Sequence, residues 1–437
     1  MFRFELNDVK IYCLIVLLAT CFVRCDDSKR DLSLRSDTDL YLYRMNNEQA
    51  SERLSSMMYN TTNPDNPVER FKLVHISDIH VSDESIDNNR KDPKNLKEAI
   101  TFANQNNLKI NALAATGDFI DYSSKKNALS FLQSFFDNLY SVNNTIPTFP
   151  CYGNHDSNTK DGEKESYINT SELYNAFDNR GNYSLQKENR KNYYYADVPN
   201  PMGGVIRFIA LDMLDQPGNF YNTLFNAIYS QEQINWLGNV ALQKDMTDGH
   251  SVVVLTHYPF QSRWGRHLQA STFVHEWRMI PEIIEAFRTK QNIEKSYKAH
   301  SVPAGTSEYI NTNFDFSVTP GEFICHLAGH IHFTEIYPIE RLSNQSVILP
   351  PQLMLIGPNM LPNGRKEFHG STDYQGIGAV NNSFCIYAID TNEKKIYATY
   401  FGSKPLAYEV SEEIKVLPYM NSFSEETFEF SKIENSH

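Results

Sequence analysis

Short apolar runs recur along most of the chain, and several of them end in polar residues. Residues 71–80 read Phe-Lys-Leu-Val-His-Ile-Ser-Asp-Ile-His, and the apolar positions of this stretch predict a buried strand. Similar runs predict buried strands over residues 110–116, 146–151, 251–256 and 323–328. Helices are predicted between them, near residues 96–102, 126–139 and 231–242. This alternation predicts an α/β fold that contains strand–helix–strand units.

The remaining segments indicate where this domain begins and ends. Paired strands are predicted over residues 193–197 and 205–211, and a closing antiparallel sheet over 353–356, 384–389 and 395–400. Residues 26–69 are polar and rich in turn formers, so we interpret them as an arm or linker. The predicted domain spans residues 70–402 and carries a long insertion at 263–322. An acidic tail follows at 403–437.

The N-terminus predicts entry into the secretory pathway. Residues 11–23 contain no charged side chain, but this run is shorter than the roughly 20 residues that cross a bilayer. We interpret residues 1–25 as a cleaved signal peptide, with an uncleaved signal anchor as the alternative. The protein is therefore expected outside the cell or in an endomembrane or lysosomal lumen. No later apolar run is long enough to span a membrane, so the mature chain is expected to have no transmembrane segment.

Cysteines and glycosylation motifs are compatible with that location without proving it. Cys151, Cys325 and Cys385 remain after cleavage, and they allow either one disulfide with a free thiol or three buried thiols. Six Asn-x-Ser/Thr motifs permit glycosylation, at Asn60, Asn143, Asn169, Asn182, Asn344 and Asn381.

Composition excludes some classes of protein. The chain has 437 residues, of which 41% are hydrophobic and 21% charged, as in an ordinary globular protein. Its formal net charge of -13 excludes a protein that coats nucleic acid by bulk charge. Neither number indicates an oligomeric state.

Five of the predicted strands end in side chains that bind metals. The carboxyl ends of parallel strands meet at one edge of a sheet, so these side chains are expected to converge. Carboxylate, amide oxygen and imidazole together suit Mn, Fe or Zn, rather than calcium or a thiolate-bound zinc. Seven ligands are too many for one tetrahedral ion and suit two ions that share a carboxylate. The seven are Asp78, His80, Asp118, Asn154, His257, His330 and His332.

The motifs that contain these ligands occur in a known order. Asp78-Ile79-His80, Gly117-Asp118, Gly153-Asn154-His155-Asp156, His257 and Gly329-His330-Ile331-His332 resemble the calcineurin-like metallophosphoesterases over roughly residues 70–402. The resemblance implies a four-layer sandwich, in which two mixed β-sheets are flanked by α-helices. It further implies that one metal takes Asp78, His80 and His332, the other takes Asn154, His257 and His330, and Asp118 bridges the two.

The same resemblance implies a reaction. A metal-bridging hydroxide would attack the phosphorus of a phosphomonoester or phosphodiester, and His155 would donate a proton to the leaving oxygen or stabilise its charge. Asp121 would orient His155. Asp156 is left open between a functional role and a cap of its turn. A catalytically silent interaction scaffold with this fold is the alternative function.

Branches of the family differ in ways that the sequence can test. Asp121 stands where purple acid phosphatases have a ferric Tyr ligand, and Tyr122-Ser123 replace the Arg-rich continuation of Ser/Thr protein phosphatases, so neither branch fits. Arg263 and Arg266 are candidate contacts for a substrate phosphate. A diesterase specific for nucleotides or lipid headgroups remains an alternative within the enzymes. The helix near Pro281 is expected to pack on the body of the fold. Among the other histidines, His75 and His326 are expected in the core, and His267, His275, His300 and His369 at the surface.

Overall fold

A computed structural model describes most of the predicted domain. The described residues are 54–55, 57–62, 65–81, 109–141, 146–159, 165–177, 185–187, 191–215, 227–259, 275–300, 307–330, 335–337, 352–354, 384–401 and 426–429. The signal peptide, the helix predicted near 96–102, His332, Arg263, Arg266, His267 and His369 lie outside these residues. Of the six glycosylation motifs, only Asn60 and Asn169 lie within them.

A six-stranded mixed sheet carries the first three ligand-bearing strands. Its order is β17-β16-β15-β3-β4-β5, in which β3, β4 and β5 are parallel and the other strands are antiparallel to their neighbours. Five of its strands were predicted, and β17 comes from the acidic tail. The six strands are β3 (Phe71–Ile76), β4 (Ala112–Thr116), β5 (Thr148–Cys151), β15 (Phe384–Asp390), β16 (Lys395–Phe401) and β17 (Glu426–Glu429).

A seven-stranded mixed sheet carries the other two. Its order is β13-β14-β12-β9-β8-β7-β6, and β8, β9, β12 and β14 are parallel. The seven strands are β6 (Gln186–Lys187), β7 (Tyr194–Pro199), β8 (Val205–Ala210), β9 (His250–Leu255), β12 (Glu322–Ala328), β13 (Glu335–Tyr337) and β14 (Gln352–Met354).

The two sheets pack face to face around an aromatic core. The ring of Phe208 on β8 stacks on Phe149 of β5, with ring centroids 4.6 Å apart, and lies 6.0 Å from Phe71 of β3. All three side chains are fully buried. Apolar burial of this kind is the main favourable contribution to folding. The predicted sandwich of two mixed sheets flanked by helices is confirmed.

Two of the following three helices were predicted from their apolar spacing, over residues 126–139 and 231–242. Leu132, Phe135, Phe136 and Leu139 form the buried stripe of α1 (Lys125–Ser141), at the spacing of one helix face. Asn169 and Glu172 exchange side-chain hydrogen bonds with each other's backbone N–H and cap α2 (Thr170–Phe177). The helix α3 (Gln231–Trp236) continues into a π-helical turn, Leu237–Ala241.

The insertion contains a helix and a ribbon of two strands. The helix α4 (Met279–Arg288) buries Ile283, Ile284 and Phe287 against the body, as expected. After it, β10 (Asn292–Lys298) and β11 (Tyr309–Asp315) pair as an antiparallel ribbon that the sequence analysis did not predict. Buried and exposed positions alternate along β11, whereas β10 buries only Ile293 and Tyr297.

Part of the segment that we interpreted as an arm contributes to the packed body. The strands β1 (Tyr59–Asn60) and β2 (Val68–Glu69) pair with each other. Leu54 and Met57 are buried just before them. The packed body therefore extends to the N-terminal side of β3. Within the described residues, no helix combines the length and the apolar character needed to cross a membrane.

Candidate metal centre

The ends of five strands meet, and Asp118 lies at the middle of the group. Its Oδ2 atom is 3.1 Å from His257 Nε2, 3.6 Å from His80 Nε2 and 4.0 Å from His155 Nε2. His80, Asp118 and His257 come after the strands β3, β4 and β9, and His155 lies in the turn after β5. The convergence of these residues, expected from the parallel strands, is therefore present in the structure.

Asp78 and His330 complete the described cluster. The backbone N–H of His330 donates to the two carboxylate oxygens of Asp78, at 2.9 and 3.1 Å. Three sets of donor atoms each lie within 4.8 Å of one another: Asp78, His80 and Asp118; Asp118, His257 and His330; and His80, Asp121 and His155. Asp118 belongs to the first two sets, as a bridging ligand would.

The backbone at four of these residues adopts the left-handed conformation. The φ angles are 55° at Asp78, 50° at His80, 53° at Asp118 and 73° at His330. Each such residue costs on the order of 1–3 kcal/mol and persists only where its surroundings impose it. Strain at four candidate ligands indicates that this edge of the fold is shaped for something other than stability.

Two glycines allow the loops to approach so closely. A Cβ atom added at Gly153 would lie 2.2 Å from Asp118 Oδ1, and one added at Gly329 would lie 1.9 Å from Ser77 Oγ. Any larger residue would push the loop of Asn154 away from Asp118, or the loop of His330 away from β3. The Gly-Asn-His-Asp and Gly-His motifs thus have a steric reason for their glycines.

The hydrogen bonds of His257 define which nitrogen faces the centre. Its Nδ1 atom donates to the backbone carbonyl of Thr116 at 2.7 Å, so Nε2 is the atom directed at Asp118 Oδ2. With His257 neutral, both atoms present lone pairs to each other, and either a proton on Nε2 or a cation must lie between them. Asp118 Oδ2, His257 Nε2 and both side-chain polar atoms of Asn154 are buried without a hydrogen-bond partner.

These buried and unsatisfied atoms fit metal ions. Leaving them unpaired would cost about 1–3 kcal/mol each, and a cation would satisfy those that carry a lone pair, namely Asp118 Oδ2, His257 Nε2 and Asn154 Oδ1. Burial opposes ionisation of Asp118, but the charges of His257 and His155 outweigh it and hold the pKa of this carboxyl well below its usual value. Burial likewise lowers the pKa of His257, and the charge of Asp118 outweighs it and raises that pKa to about 9. Both shifts show that the centre attracts positive charge.

His155 lies beside this cluster and is held by Asp121. The Oδ1 atom of Asp121 is 3.2 Å from His155 Nδ1 and accepts the backbone N–H of Tyr122 at 2.8 Å. This contact leaves Nε2 of His155 directed at the centre. Burial lowers the pKa of His155, but the charges of Asp118 and Asp121 more than offset it, so the pKa is raised. Asp121 therefore contacts the ring nitrogen of His155 that does not face the centre.

Asp156 has more contacts than the sequence indicated. Its fully buried carboxylate accepts four backbone N–H groups, from Asp118, Phe119, Ile120 and Gly153. Burial and the charge of Asp118 raise its pKa to about 7, and the N–H of Gly153 opposes them. Its place in the Gly-Asn-His-Asp motif was the only available signal.

Most of the predicted site residues are brought together, and the remainder lie outside the described residues. The cluster contains Asp78, His80, Asp118, His257 and His330, with His155 and Asp121 beside it, and Asn154 is buried in the same loop as His155. His332, Arg263 and Arg266 lie outside the described residues. His75 and His326 are fully buried in strands, as expected. The surface position expected for His275 is wrong, because this residue is only 5% exposed and its Nε2 lies 3.0 Å from the Ser307 carbonyl.

The chain has recognisable relatives among known families and solved structures. Residues 71–289 match the family described as calcineurin-like phosphoesterase. No curated protein matches the chain. A dimetal phosphatase from Danio rerio is similar in structure, with 14% sequence identity and a TM-score of 0.45 over 76% of this chain and 96% of that one. A protein from Thermus thermophilus is similar at 10% identity and a TM-score of 0.34, over 75% of this chain and 98% of that one.

Proposed function

Because this chain belongs to the calcineurin-like phosphoesterase family, we propose that it is a hydrolase of phosphomonoesters or phosphodiesters that works with two metal ions. One observation carries the proposal. The buried Oδ2 atom of Asp118 accepts no hydrogen bond from the backbone or from a hydroxyl group, and it faces the imidazoles of His80 and His257. A folded protein keeps such an arrangement where a cation is part of the site.

The residues would divide between two ions that share Asp118. Asp78 and His80 would hold one ion, and Asn154, His257 and His330 the other. His332 is proposed as a further ligand of the first ion on sequence grounds. Mn, Fe and Zn all suit this donor set. When bound, the ions would lower the pKa of a water and neutralise charge on the phosphoryl oxygens.

The chain's own groups would then act on the leaving side of the ester. His155 would give a proton to the departing oxygen, because its Nε2 faces the centre and its raised pKa favours the protonated form. Asp121 would hold the ring in that orientation through Nδ1. Arg263 and Arg266 are proposed as contacts for the substrate phosphate.

Location and substrate complete the proposal. The uncharged run at residues 11–23 supports a signal peptide and hence a secreted or lumenal enzyme, and the Asn-x-Ser/Thr motifs are compatible with a glycoprotein. Monoesters and diesters are both compatible with a site of two metals, so both are assayed in the test.

The test measures metal content and turnover in the same preparation. Purified protein loaded with Mn, Fe or Zn is assayed on p-nitrophenyl phosphate and on bis(p-nitrophenyl) phosphate, and bound metal is counted by mass spectrometry. We expect about two ions per chain and hydrolysis of at least one ester. Asp118→Asn should lower kcat/KM by about 10³-fold or more, since it removes the shared ligand.

Asp315→Asn is the matched control. Asp315 is exposed at the end of β11, so the same chemical change should leave both metal content and turnover unchanged. Absence of turnover with every metal, or full activity in Asp118→Asn, would overturn the proposal. The first result would favour an interaction scaffold.

A further inference from the structure

We infer that Asp156 is a positioning residue that holds the two loops bearing Asp118 and Asn154 at the distance that metal binding requires. This inference rests on the proposed function, because it assigns a role within the same centre. Asp156 itself is not in the cluster of donor atoms around Asp118.

The carboxylate of Asp156 joins the two loops through hydrogen bonds of ordinary length. One oxygen accepts the N–H groups of Phe119 and Ile120, at 2.7 and 3.2 Å. The other accepts those of Asp118 and Gly153, at 3.0 and 2.7 Å. Three donors therefore come from the loop after β4 and the fourth from the loop after β5.

A reciprocal bond completes the connection. The N–H of His155, the residue before Asp156, donates to Asp118 Oδ1 at 2.9 Å. Each loop thus supplies a carboxylate that accepts a backbone N–H of the other. This pair of contacts fixes the left-handed backbone at Asp118 and sets the direction of its carboxylate, whose Oδ2 remains for the ions.

Only a carboxylate satisfies four converging donors. It has two oxygens with about four lone-pair sites, all of which can accept. An amide would place an NH₂ group against two of the four N–H groups, leaving them buried and unpaired at a cost of about 1–3 kcal/mol each. Because both oxygens of Asp156 already accept two N–H groups each, it acts through Asp118 and Asn154 and is not a ligand.

Another buried carboxylate offers a matched comparison. Asp390 also accepts four hydrogen bonds, from Asn60 Nδ2, Arg70 Nε and the backbone N–H groups of Asn392 and Glu393. It ends β15, which runs antiparallel to β3, so it lies at the edge of the sheet opposite the centre. The same substitution there should cost stability without changing the metal centre.

The experiment compares metal affinity with stability in Asp156→Asn and Asp390→Asn. Zn²⁺ is titrated calorimetrically into metal-free protein, Co²⁺ absorption reports the geometry of the site, and circular dichroism reports unfolding. For Asp156→Asn we expect a 10- to 100-fold weaker Kd and an altered Co²⁺ spectrum, the range typical of groups that hold metal ligands. For Asp390→Asn we expect a lower Tm with the wild-type Kd and spectrum.

Each outcome decides the question. A wild-type Kd and spectrum in Asp156→Asn, or an equal loss of affinity in Asp390→Asn, would overturn the inference. If Asp156→Asn does not fold, Asp156→Glu carries the test, because it keeps the charge and displaces the oxygens by one methylene. About tenfold weaker binding with wild-type circular dichroism supports the inference, and unchanged binding refutes it. Failure of the wild-type protein to take up metal would refute the proposed function, whereas normal uptake by both proteins would refute only the role of Asp156.

Discussion

Asp118 and Asp390 are both buried carboxylates at the ends of strands in one sheet. Asp118 lies at the end of the sheet that carries the metal centre, and Asp390 lies at the opposite end. Asp390 is fully satisfied, with an ion pair to Arg70 at 2.8 Å and three further hydrogen bonds. The Oδ2 atom of Asp118 is surrounded by imidazoles and receives no hydrogen bond. Both side chains are equally buried, but only the carboxylate of Asp390 has all of its hydrogen bonds formed within the protein.

This difference separates stability from function within one fold. The Asp390 site joins β1, Arg70 and β15 through contacts that form without any ligand. The Asp118 edge has strained backbone and unsatisfied polar atoms, which cost free energy until a cation is bound. Substitutions at the two edges should therefore affect different measurements.

The largest effect on stability is expected from removing the ion-pair partner of Asp390. Arg70→Met leaves Asp390 charged and buried without its partner, and it removes the stacking of the guanidinium on Tyr397, 4.3 Å from the ring centroid. We expect the free energy of unfolding to fall by about 3–5 kcal/mol. Chemical denaturation measures this change, and Zn²⁺ titration of the folded variant should give the wild-type Kd.

Lys109→Met is the control for that prediction. Lys109 pairs with Glu69 at 4.0 Å but is 81% exposed. Loss of such a pair should change the free energy of unfolding by less than about 1 kcal/mol. Equal effects of Arg70→Met and Lys109→Met, or a weaker Kd for Zn²⁺ in Arg70→Met, would contradict the separation of the two edges.

The centre around Asp118 was more predictable from sequence than the hydrogen-bonded cluster around Asp390. Asp78, His80, His257 and His330 could be found because chemically distinctive side chains directly follow apolar strands, and parallel strands bring their ends together. The Asp390 cluster offers no such signal. Arg70 and Asp390 are 320 positions apart, and each alone resembles an ordinary surface charge.

Two other features were missed for physical reasons. The ribbon buries Ile293 and Tyr297 four positions apart on β10, a spacing that resembles a helix face as much as a strand. The role of Asp156 depends on four backbone N–H groups, which every non-proline residue possesses and which leave no trace in the side-chain pattern. Contacts with backbone atoms become visible only in three dimensions.

Metal binding should satisfy the unpaired atoms around Asp118 and thereby stabilise the folded protein. A ligand present at 100 times its Kd stabilises the folded state by about 2.7 kcal/mol. Zn²⁺ or Mn²⁺ should therefore raise the Tm of the wild-type protein and of Asp315→Asn, and leave that of Asp118→Asn nearly unchanged. Differential scanning calorimetry with and without metal measures the shift. An equal shift in Asp118→Asn would mean that the ions bind elsewhere.

The smallest effect is expected from substituting Asp121. In our proposal this residue orients His155 and is not a metal ligand. Asp121 raises the pKa of His155, so Asp121→Asn should lower that pKa. His155 would then lose its proton at a lower pH, and the basic limb of the kcat profile should move to lower pH. We expect kcat to fall by about 10- to 100-fold. Comparing p-nitrophenyl phosphate with phenyl phosphate sharpens the test, because the poorer leaving group depends more on a donated proton and should lose more activity. Equal losses on both esters, with an unmoved basic limb, would show that Asp121 acts on the centre by some route other than His155.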